Sequence, residues 1–186
     1  MPKTKPISIG IHPWYGKLQE LDKNLKYLNV LARQENVKLI GECGLDKLKG
    51  EPMENQLQTL EAQISLAEEL KKPLIIHCVK AFDELVALKK RLQPTVPMII
   101  HGFNKKYEMA QQLINQGFYL SFGAAVLKSD EVAMALEKTE TPFFLETDEA
   151  DVSITEIYNK VAEIKKISLD KLKDIIFANC KKLGLL

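Results

Sequence analysis

The feature that most constrains the fold of this chain is a repeated alternation of short apolar runs with longer stretches of helical period. Runs that are apolar on both faces are typical of strands buried in a parallel sheet. The six runs cover residues 7–11, 37–40, 73–76, 96–100, 118–122 and 142–145. The pattern therefore predicts about six strand–helix units in a single α/β domain covering residues 1–186.

The stretches between the runs have the amphipathic pattern of helices that cover a sheet. After Pro52, apolar residues recur at three- and four-residue steps, with Glu and Gln elsewhere: Leu57, Leu60, Ile64, Ala67 and Leu70. Residues 18–33 carry a similar stripe. Ser153 and Glu156 match a capping box that opens a helix toward Ile164. Ser168 is expected to cap the last helix, whose inward residues are Leu172, Ile175 and Ile176.

Alternating strand–helix units allow either a doubly wound open sheet or a (β/α) barrel. A doubly wound dinucleotide-binding fold needs a Gly-rich phosphate loop after its first strand, and no predicted strand is followed by one. The predicted strands end instead in side chains capable of chemistry, which is typical of barrels. We therefore favour a TIM-type barrel.

All three histidines of the chain, and several acids, follow predicted strands. The strand-end residues are His12, Glu42, Asp46, His77, His101, Ser121, Glu146 and Asp148. A single histidine after a strand is more often a structural residue, and an acid there often caps the next helix. Glu42 fits this explanation poorly, because an unpaired carboxylate is costly to bury. Together the imidazoles and carboxylates indicate a divalent metal site, which Zn²⁺, Mn²⁺ or Mg²⁺ would suit.

Charge and cysteine content narrow the function classes. The net charge is +1, whereas proteins that bind long duplex nucleic acid show a basic excess. A nucleic acid substrate would therefore be held over a short stretch.

The three cysteines, Cys43, Cys78 and Cys180, are odd in number and lack paired spacing, which argues for a reducing compartment. We interpret Cys43 and Cys78 as packing residues, although a thiolate ligand would favour zinc.

Residues 1–6 contain no apolar run of signal-peptide length, and the apolar runs of the chain are too short to span a bilayer. We therefore expect a cytoplasmic protein without membrane contact.

Five motifs in order along the chain resemble the TatD family of metal-dependent hydrolases, within the amidohydrolase-like barrels. They are Gly10-Ile11-His12-Pro13-Trp14, Gly41-Glu42-Cys43-Gly44-Leu45-Asp46, Pro73-Leu74-Ile75-Ile76-His77-Cys78, Ile100-His101-Gly102-Phe103 and Leu145-Glu146-Thr147-Asp148. Each motif alone is weak, but five in this order span nearly the whole chain. The resemblance is therefore specific.

The resemblance implies a role for each matching residue. Glu42 is similar to a carboxylate that bridges two metals, and His77 and His101 are similar to ligands of one of them. Asp148 resembles the acid that contacts metal and orients or deprotonates the attacking water. Glu146 resembles a supporting acid, and His12 a histidine near the site. On this interpretation Glu42, His77, His101 and Asp148 gather around one cation of a centre with one or two ions.

The chain departs from the family at its N-terminal end. Many members open with an Asp-x-His-x-His strand that holds the other metal, and this chain has no such pair. The resemblance thus implies an incomplete TIM-type barrel of about six units with an extra C-terminal helix. An open barrel edge is normally covered or paired, so we expect a homodimer, coverage by the N-terminal stretch, or a shortened version of a longer protein.

Three functions fit these features. The first is a deoxyribonuclease that cleaves single-stranded or short DNA by metal-activated water, with Lys80 and Lys105 contacting phosphate oxygens. For each lysine a solvated helix start is the simpler explanation. The second is a metal-dependent ester or amide hydrolase, such as an aminoacyl-tRNA deacylase. The third is a non-catalytic barrel that has lost part of its metal site.

Overall fold

The computed structural model describes residues 5–185 and divides the chain into two compact units. The first runs to Met98 and also includes Gly184, and the second covers Ile99–Leu183. The prediction of one domain over residues 1–186 remains a prediction. The absence of a signal peptide was predicted from residues 1–6, and residues 1–4 lie outside the described part.

The first unit contains three parallel strands, each followed by a helix. The elements in chain order are β1 (Ile7–Ile9), α1 (Leu21–Ala32), β2 (Val37–Asp46), α2 (Met53–Leu70), β3 (Leu74–Val79) and α3 (Phe82–Leu92). In register, Ile9 of β1 lies opposite Ile40, and Gly44 of β2 lies opposite His77 of β3. Ile40 and Leu45 are fully buried in the core of this unit.

The second unit repeats the strand–helix alternation. Its elements are β4 (Met98–Ile100), which begins at the last residue of the first unit, α4 (Tyr107–Asn115), β5 (Phe118–Phe122), α5 (Asp130–Lys138), β6 (Phe143–Leu145), α6 (Ile154–Lys165) and α7 (Leu169–Lys182). β5 and β6 pair in parallel. The predicted capping box of Ser153 and Glu156 is present at the start of α6, and Ser168 caps α7. Leu172 and Ile176 are buried as expected, and Ile175 is half-buried.

Strand β2 continues six residues beyond the predicted run, through Glu42 to Asp46. Two glycines allow this extension. Gly41 and Gly44 have φ angles of 142° and 149°, a region that side chains rarely adopt. A Cβ atom at Gly44 would overlap the carbonyl oxygen of His77, and one at Gly41 would overlap that of Ile75. Close contact with β3 therefore keeps Glu42 and Asp46 inside the strand.

Helix α2 buries a wider face than the predicted apolar stripe. Leu60, Ile64 and Ala67 are buried as expected, and Leu57 and Leu70 are half-buried. Three polar residues are buried beside them: Gln56, Thr59 and Gln63. The two glutamines lie there because they hydrogen-bond the backbone of Asp46 and Ile11.

Within residues 5–185, no helix is both long and apolar enough to cross a membrane.

Candidate metal centre

Three of the predicted site residues meet in the first unit. His12 follows β1, Glu42 lies in β2 and His77 lies in β3. Each offers one ligand atom, and the three atoms all lie within 4.8 Å of one another. The Glu42 side chain is 37% exposed, so its carboxylate is less buried than the sequence suggested. Imidazole and carboxylate donors at this spacing suit a divalent ion such as Zn²⁺ or Mn²⁺.

Asp46 holds the ring of His77. The Nε2 atom of His77 lies 3.2 Å from Oδ2 of Asp46, which is 3% exposed. A carboxylate only accepts hydrogen bonds, so Nε2 of His77 is the donor in this contact. Histidines that bind metal commonly donate their other N–H to a carboxylate in this way. The residues therefore fit a metal ion.

Asp46 also accepts hydrogen bonds from Trp14 Nε1 at 2.6 Å and from the Leu48 N–H at 2.7 Å. Burial would raise the pKa of Asp46, but the bonds from Trp14, Leu48 and His77 bring that pKa below its usual value. The carboxyl is thus ionised at neutral pH. The alternative that Asp46 caps the next helix is wrong, since Pro52 occupies the N-cap of α2.

His12 presents a proton toward Glu42. Its Nδ1 accepts a hydrogen bond from the Trp14 N–H at 3.2 Å, which places the proton of the neutral ring on Nε2. That Nε2 lies 3.6 Å from Oε2 of Glu42. The geometry suits a proton donor beside the centre, in line with the predicted place of His12 near the site.

Two glutamines of α2 fix the backbone that carries these residues. Gln63 accepts from the N–H of Ile11 at 2.7 Å and donates to its carbonyl at 3.1 Å. Gln56 does the same at Asp46, at 2.7 and 2.9 Å. Gln56 also donates to the carbonyls of Lys49 and Glu51. Each buried amide thus supplies the hydrogen-bond partners of a backbone N–H and a backbone carbonyl.

In the second unit, Glu146 is the centre of a hydrogen-bonded group. Its Oε1 accepts from the Gly102 N–H at 2.6 Å and lies 3.5 Å from Nδ1 of His101. Its Oε2 accepts from the Ser121 hydroxyl. The ends of β4, β5 and β6 therefore converge on this carboxylate.

The remaining predicted site residues are exposed. Asp148 lies in a turn after β6 with φ of 48°. Lys80 and Lys105 are also exposed, and their contact with phosphate remains a prediction. That Glu42, His77, His101 and Asp148 share one cation remains a prediction as well.

The interpretation of Cys43 as a packing residue is confirmed. Burial raises the pKa of its thiol far above the ordinary value, with the negative charge of Glu42 adding to the effect. Its Sγ lies 3.5 Å from the carbonyl oxygen of Ile75. Cys43, Cys78 and Cys180 are all free thiols, as the odd count predicted.

The sequence interpretation missed the roles of Asp46, Trp14, Gln56 and Gln63. A signal was present for the glutamines, because positions 56, 59, 60 and 63 share one face of a helix. Polar residues inside an apolar stripe indicate buried partners. For Asp46 the four-residue offset from Glu42 along an extended strand indicates the same face.

Comparisons with known proteins find relatives over nearly the whole chain. The family model described as TatD related DNase matches residues 2–184. An uncharacterized metal-dependent hydrolase of Bacillus subtilis, YabD, is 29% identical over 95% of this chain and 76% of its own length. Deoxyribonuclease TATDN3 of Homo sapiens is 28% identical over 94% of this chain and 72% of its own. The 3'-5' ssDNA/RNA exonuclease TatD of Citrobacter koseri is 32% identical over 60% of this chain and 43% of its own.

Solved structures show the fold. YJJV, a TatD homologue from Escherichia coli, superimposes with a TM-score of 0.81 at 20% identity, over 97% of this chain and 77% of that one. A TatD family hydrolase from Entamoeba histolytica gives 0.82 at 23% identity, over 96% and 74%. The predicted incomplete TIM-type α/β barrel is thereby confirmed, with six strands and a final additional helix.

Proposed function

The chain belongs to the TatD related DNase family of metal-dependent hydrolases, and from that premise we propose that it cleaves phosphodiester bonds of single-stranded or short DNA. The observation that carries the proposal is the group of His12, Glu42 and His77, with His77 held by Asp46. The names of the human and Citrobacter koseri relatives, a deoxyribonuclease and a single-strand exonuclease, support a nucleic acid substrate.

In this proposal Glu42 and His77 hold a divalent ion, and Asp46 orients the His77 ring. The ion, when bound, polarises the phosphoryl oxygen and lowers the pKa of water. His101 and Asp148 are assigned as further ligands by the family resemblance, with Asp148 orienting the attacking water. Glu146, bonded to Gly102 and Ser121, is assigned as a supporting acid.

Hydrolysis forms one P–O bond to the water oxygen and breaks the P–O bond to the leaving sugar oxygen. The water loses one proton, assigned to Asp148, and the leaving oxygen must gain one. The Nε2–H of His12 faces the centre and is assigned to hydrogen-bond the leaving oxygen. That oxygen takes its proton from solvent, and Asp148 returns the proton of the attacking water to solvent.

The test is hydrolysis of an end-labelled single-stranded oligonucleotide by highly purified protein, with EDTA and then with Mg²⁺, Mn²⁺ or Zn²⁺. We expect release of nucleotides only with metal. Glu42→Gln, which removes the charge at nearly constant size, is expected to lose at least about 100-fold, more than loss of a supporting residue costs.

Lys171→Gln alters an exposed side chain of α7 and is expected to leave activity unchanged. It is purified in parallel as a control for contaminating nuclease. Equal activity in Glu42→Gln and in this control would refute the proposal. An aminoacyl-tRNA assayed beside DNA distinguishes a nuclease from an esterase. Hydrolysis of the aminoacyl ester without hydrolysis of DNA would identify an esterase.

A further inference from the structure

Aromatic rings surround His12 at the edge of the candidate centre. The Trp14 ring lies 4.9 Å from the His12 ring and 5.6 Å from the His77 ring, centroid to centroid. The Tyr15 ring lies 5.7 Å from His12 and 6.3 Å from Trp14. Two aromatic side chains therefore adjoin the residues that we assign to the metal and to the leaving oxygen.

Trp14 is fixed from two sides. Its Nε1 donates to Asp46 at 2.6 Å, and the ammonium of Lys49 lies 3.7 Å from its ring centroid. The Lys49 backbone is itself held, because Gln56 donates to its carbonyl. The nearby Lys47 is engaged elsewhere, in an ion pair with Glu84 at 2.6 Å. Lys49 is thus the cation of this aromatic cluster.

Tyr15 is the exposed member of the cluster. Its side chain belongs to the large apolar groups at the surface, at 72% exposure. Its backbone is nevertheless ordered by a tight turn, in which the N–H groups of Tyr15 and Gly16 both donate to the His12 carbonyl at 3.0 Å. An exposed ring on a fixed backbone next to a candidate catalytic group loses little conformational freedom when a ligand stacks on it.

We propose that Tyr15, supported by Trp14 and Lys49, forms a stacking subsite for one base of single-stranded nucleic acid. This inference rests on the proposed function and names the form of its substrate. In a nucleotide the base is joined to its phosphates through a single sugar. A base on Tyr15 therefore brings a phosphodiester group beside His12 and Glu42, with the Lys49 ammonium available to phosphate.

The chemistry of the cluster favours a single strand over a duplex. Every base has a π face that can stack on an aromatic side chain, but in a duplex those faces are already stacked on neighbouring bases. The chain carries a net charge of only +1, so it lacks the basic excess with which proteins bind many duplex phosphates. Stacking and one or two cations then supply the binding.

The experiment uses the full chain and its own fluorescence, because Trp14 is the single tryptophan. A short single-stranded oligothymidylate with phosphorothioate linkages is titrated in EDTA, with the same strand annealed to its complement in parallel. We expect the single strand to change Trp14 emission and to bind at least about tenfold more tightly than the duplex.

Tyr15→Ala is expected to weaken single-strand binding on the order of tenfold, the usual cost of losing one stacked base, whereas Tyr15→Phe keeps the ring and the affinity. Lys49→Gln should reduce the slope of log affinity against log salt by about 0.7, the value for one single-strand phosphate contact. Phe177→Ala, which removes another exposed aromatic ring, should bind like the unchanged protein.

Three results would each overturn the subsite. They are equal affinity of Tyr15→Ala and the unchanged protein, equal binding of duplex and single strand, and no binding of the single strand either in EDTA or when the titration is repeated with Ca²⁺. The hydrolysis assay separates this result from the proposed function. Metal-dependent cleavage with an unaltered KM in Tyr15→Ala rejects the subsite alone. Binding that depends on Tyr15, without any hydrolysis, rejects the nuclease and retains the subsite.

Discussion

The two units hold their candidate functional residues in opposite ways. In the first unit, side chains of helix α2 hold the backbone. Gln56 hydrogen-bonds the N–H and the carbonyl of Asp46, and Gln63 does the same at Ile11. In the second unit, backbone and hydroxyl groups hold a side chain, since Gly102 and Ser121 donate to Glu146.

This difference has an energetic consequence. A buried backbone group that loses its partner costs the full desolvation penalty, whereas a partly exposed carboxylate that loses one donor can turn to water. The first unit should therefore tolerate substitution around its site less well than the second. Four sets of variants test this expectation, and the most damaging substitution is described first.

The largest effect is expected from glycine replacement in β2. Gly44→Ala places a methyl group against the His77 carbonyl at a φ of 149°, and we expect a loss of about 4 kcal/mol or more in unfolding free energy, or failure to fold. Gly123→Ala in the second unit meets Glu146 Cγ only at 3.4 Å and should cost far less. Urea denaturation measures both, and similar losses would contradict the difference between the units.

Removal of a glutamine clamp comes next. Gln56→Ala leaves the N–H and carbonyl of Asp46 without their partner, and we expect a loss of about 2–4 kcal/mol. Asn179→Ala in the second unit removes a single bond, from Nδ2 to the Phe143 carbonyl at 2.9 Å, with an expected cost of about 1 kcal/mol. Urea denaturation measures both losses, provided that the dependence of the unfolding free energy on urea concentration is the same in each variant. An equal loss in Gln56→Ala and Asn179→Ala would contradict the special role of α2.

Asp46→Asn should weaken metal binding by about 10- to 100-fold. Oδ1 and Oδ2 of Asp46 both accept hydrogen bonds, so an amide NH₂ must face a donor whichever way it turns. Ser121→Ala is expected to have less effect, because the Gly102 N–H still holds Glu146. Competition titration of Zn²⁺ against a chelator gives both constants, and unaltered affinity in Asp46→Asn would show that His77 does not depend on Asp46.

The smallest effect concerns acid stability. Burial would raise the pKa of Glu68, but hydrogen bonds from the Val96 N–H and from the hydroxyl and N–H of Thr95 hold that pKa below 4.5. A carboxyl whose pKa is lower in the folded state than in the unfolded state stabilises the fold at pH values above its unfolded-state pKa. This stabilisation is lost as the pH falls through the folded-state pKa. Glu68→Gln should therefore be less stable than the unchanged protein at pH 7, and this difference should shrink as the pH falls below the ordinary pKa of a glutamate.

In the second unit, hydrogen bonds from the backbone and side chain of Ser153 lower the pKa of Glu156, which is fully exposed. Glu156→Gln should show a smaller pH-dependent difference. Thermal unfolding at several pH values compares the two variants, and the reverse order would contradict the stronger coupling in the first unit.

Much of the fold could be predicted because the relevant signals are local. Apolar periodicity located all six strands, and the capping box of Ser153 and Glu156 marked the start of α6. His12 follows β1 as predicted, whereas His77 lies inside β3, which continues to Val79 beyond the predicted run. The structure brings both rings to within 4.7 Å of each other. The end of β2 could not, because its extension depends on contact of Gly41 and Gly44 with β3.

Local pattern along the chain was thus sufficient for the order of strands and helices, and for the association of the histidine and carboxylate set with the strands. The partners of the buried polar groups depended on the folded chain. Gln63 and Ile11 are 52 positions apart, and His77 and Asp46 are 31 apart. A hydrogen bond depends on distance and angle in space, and no periodicity in the sequence encodes which remote donor will meet a given acceptor.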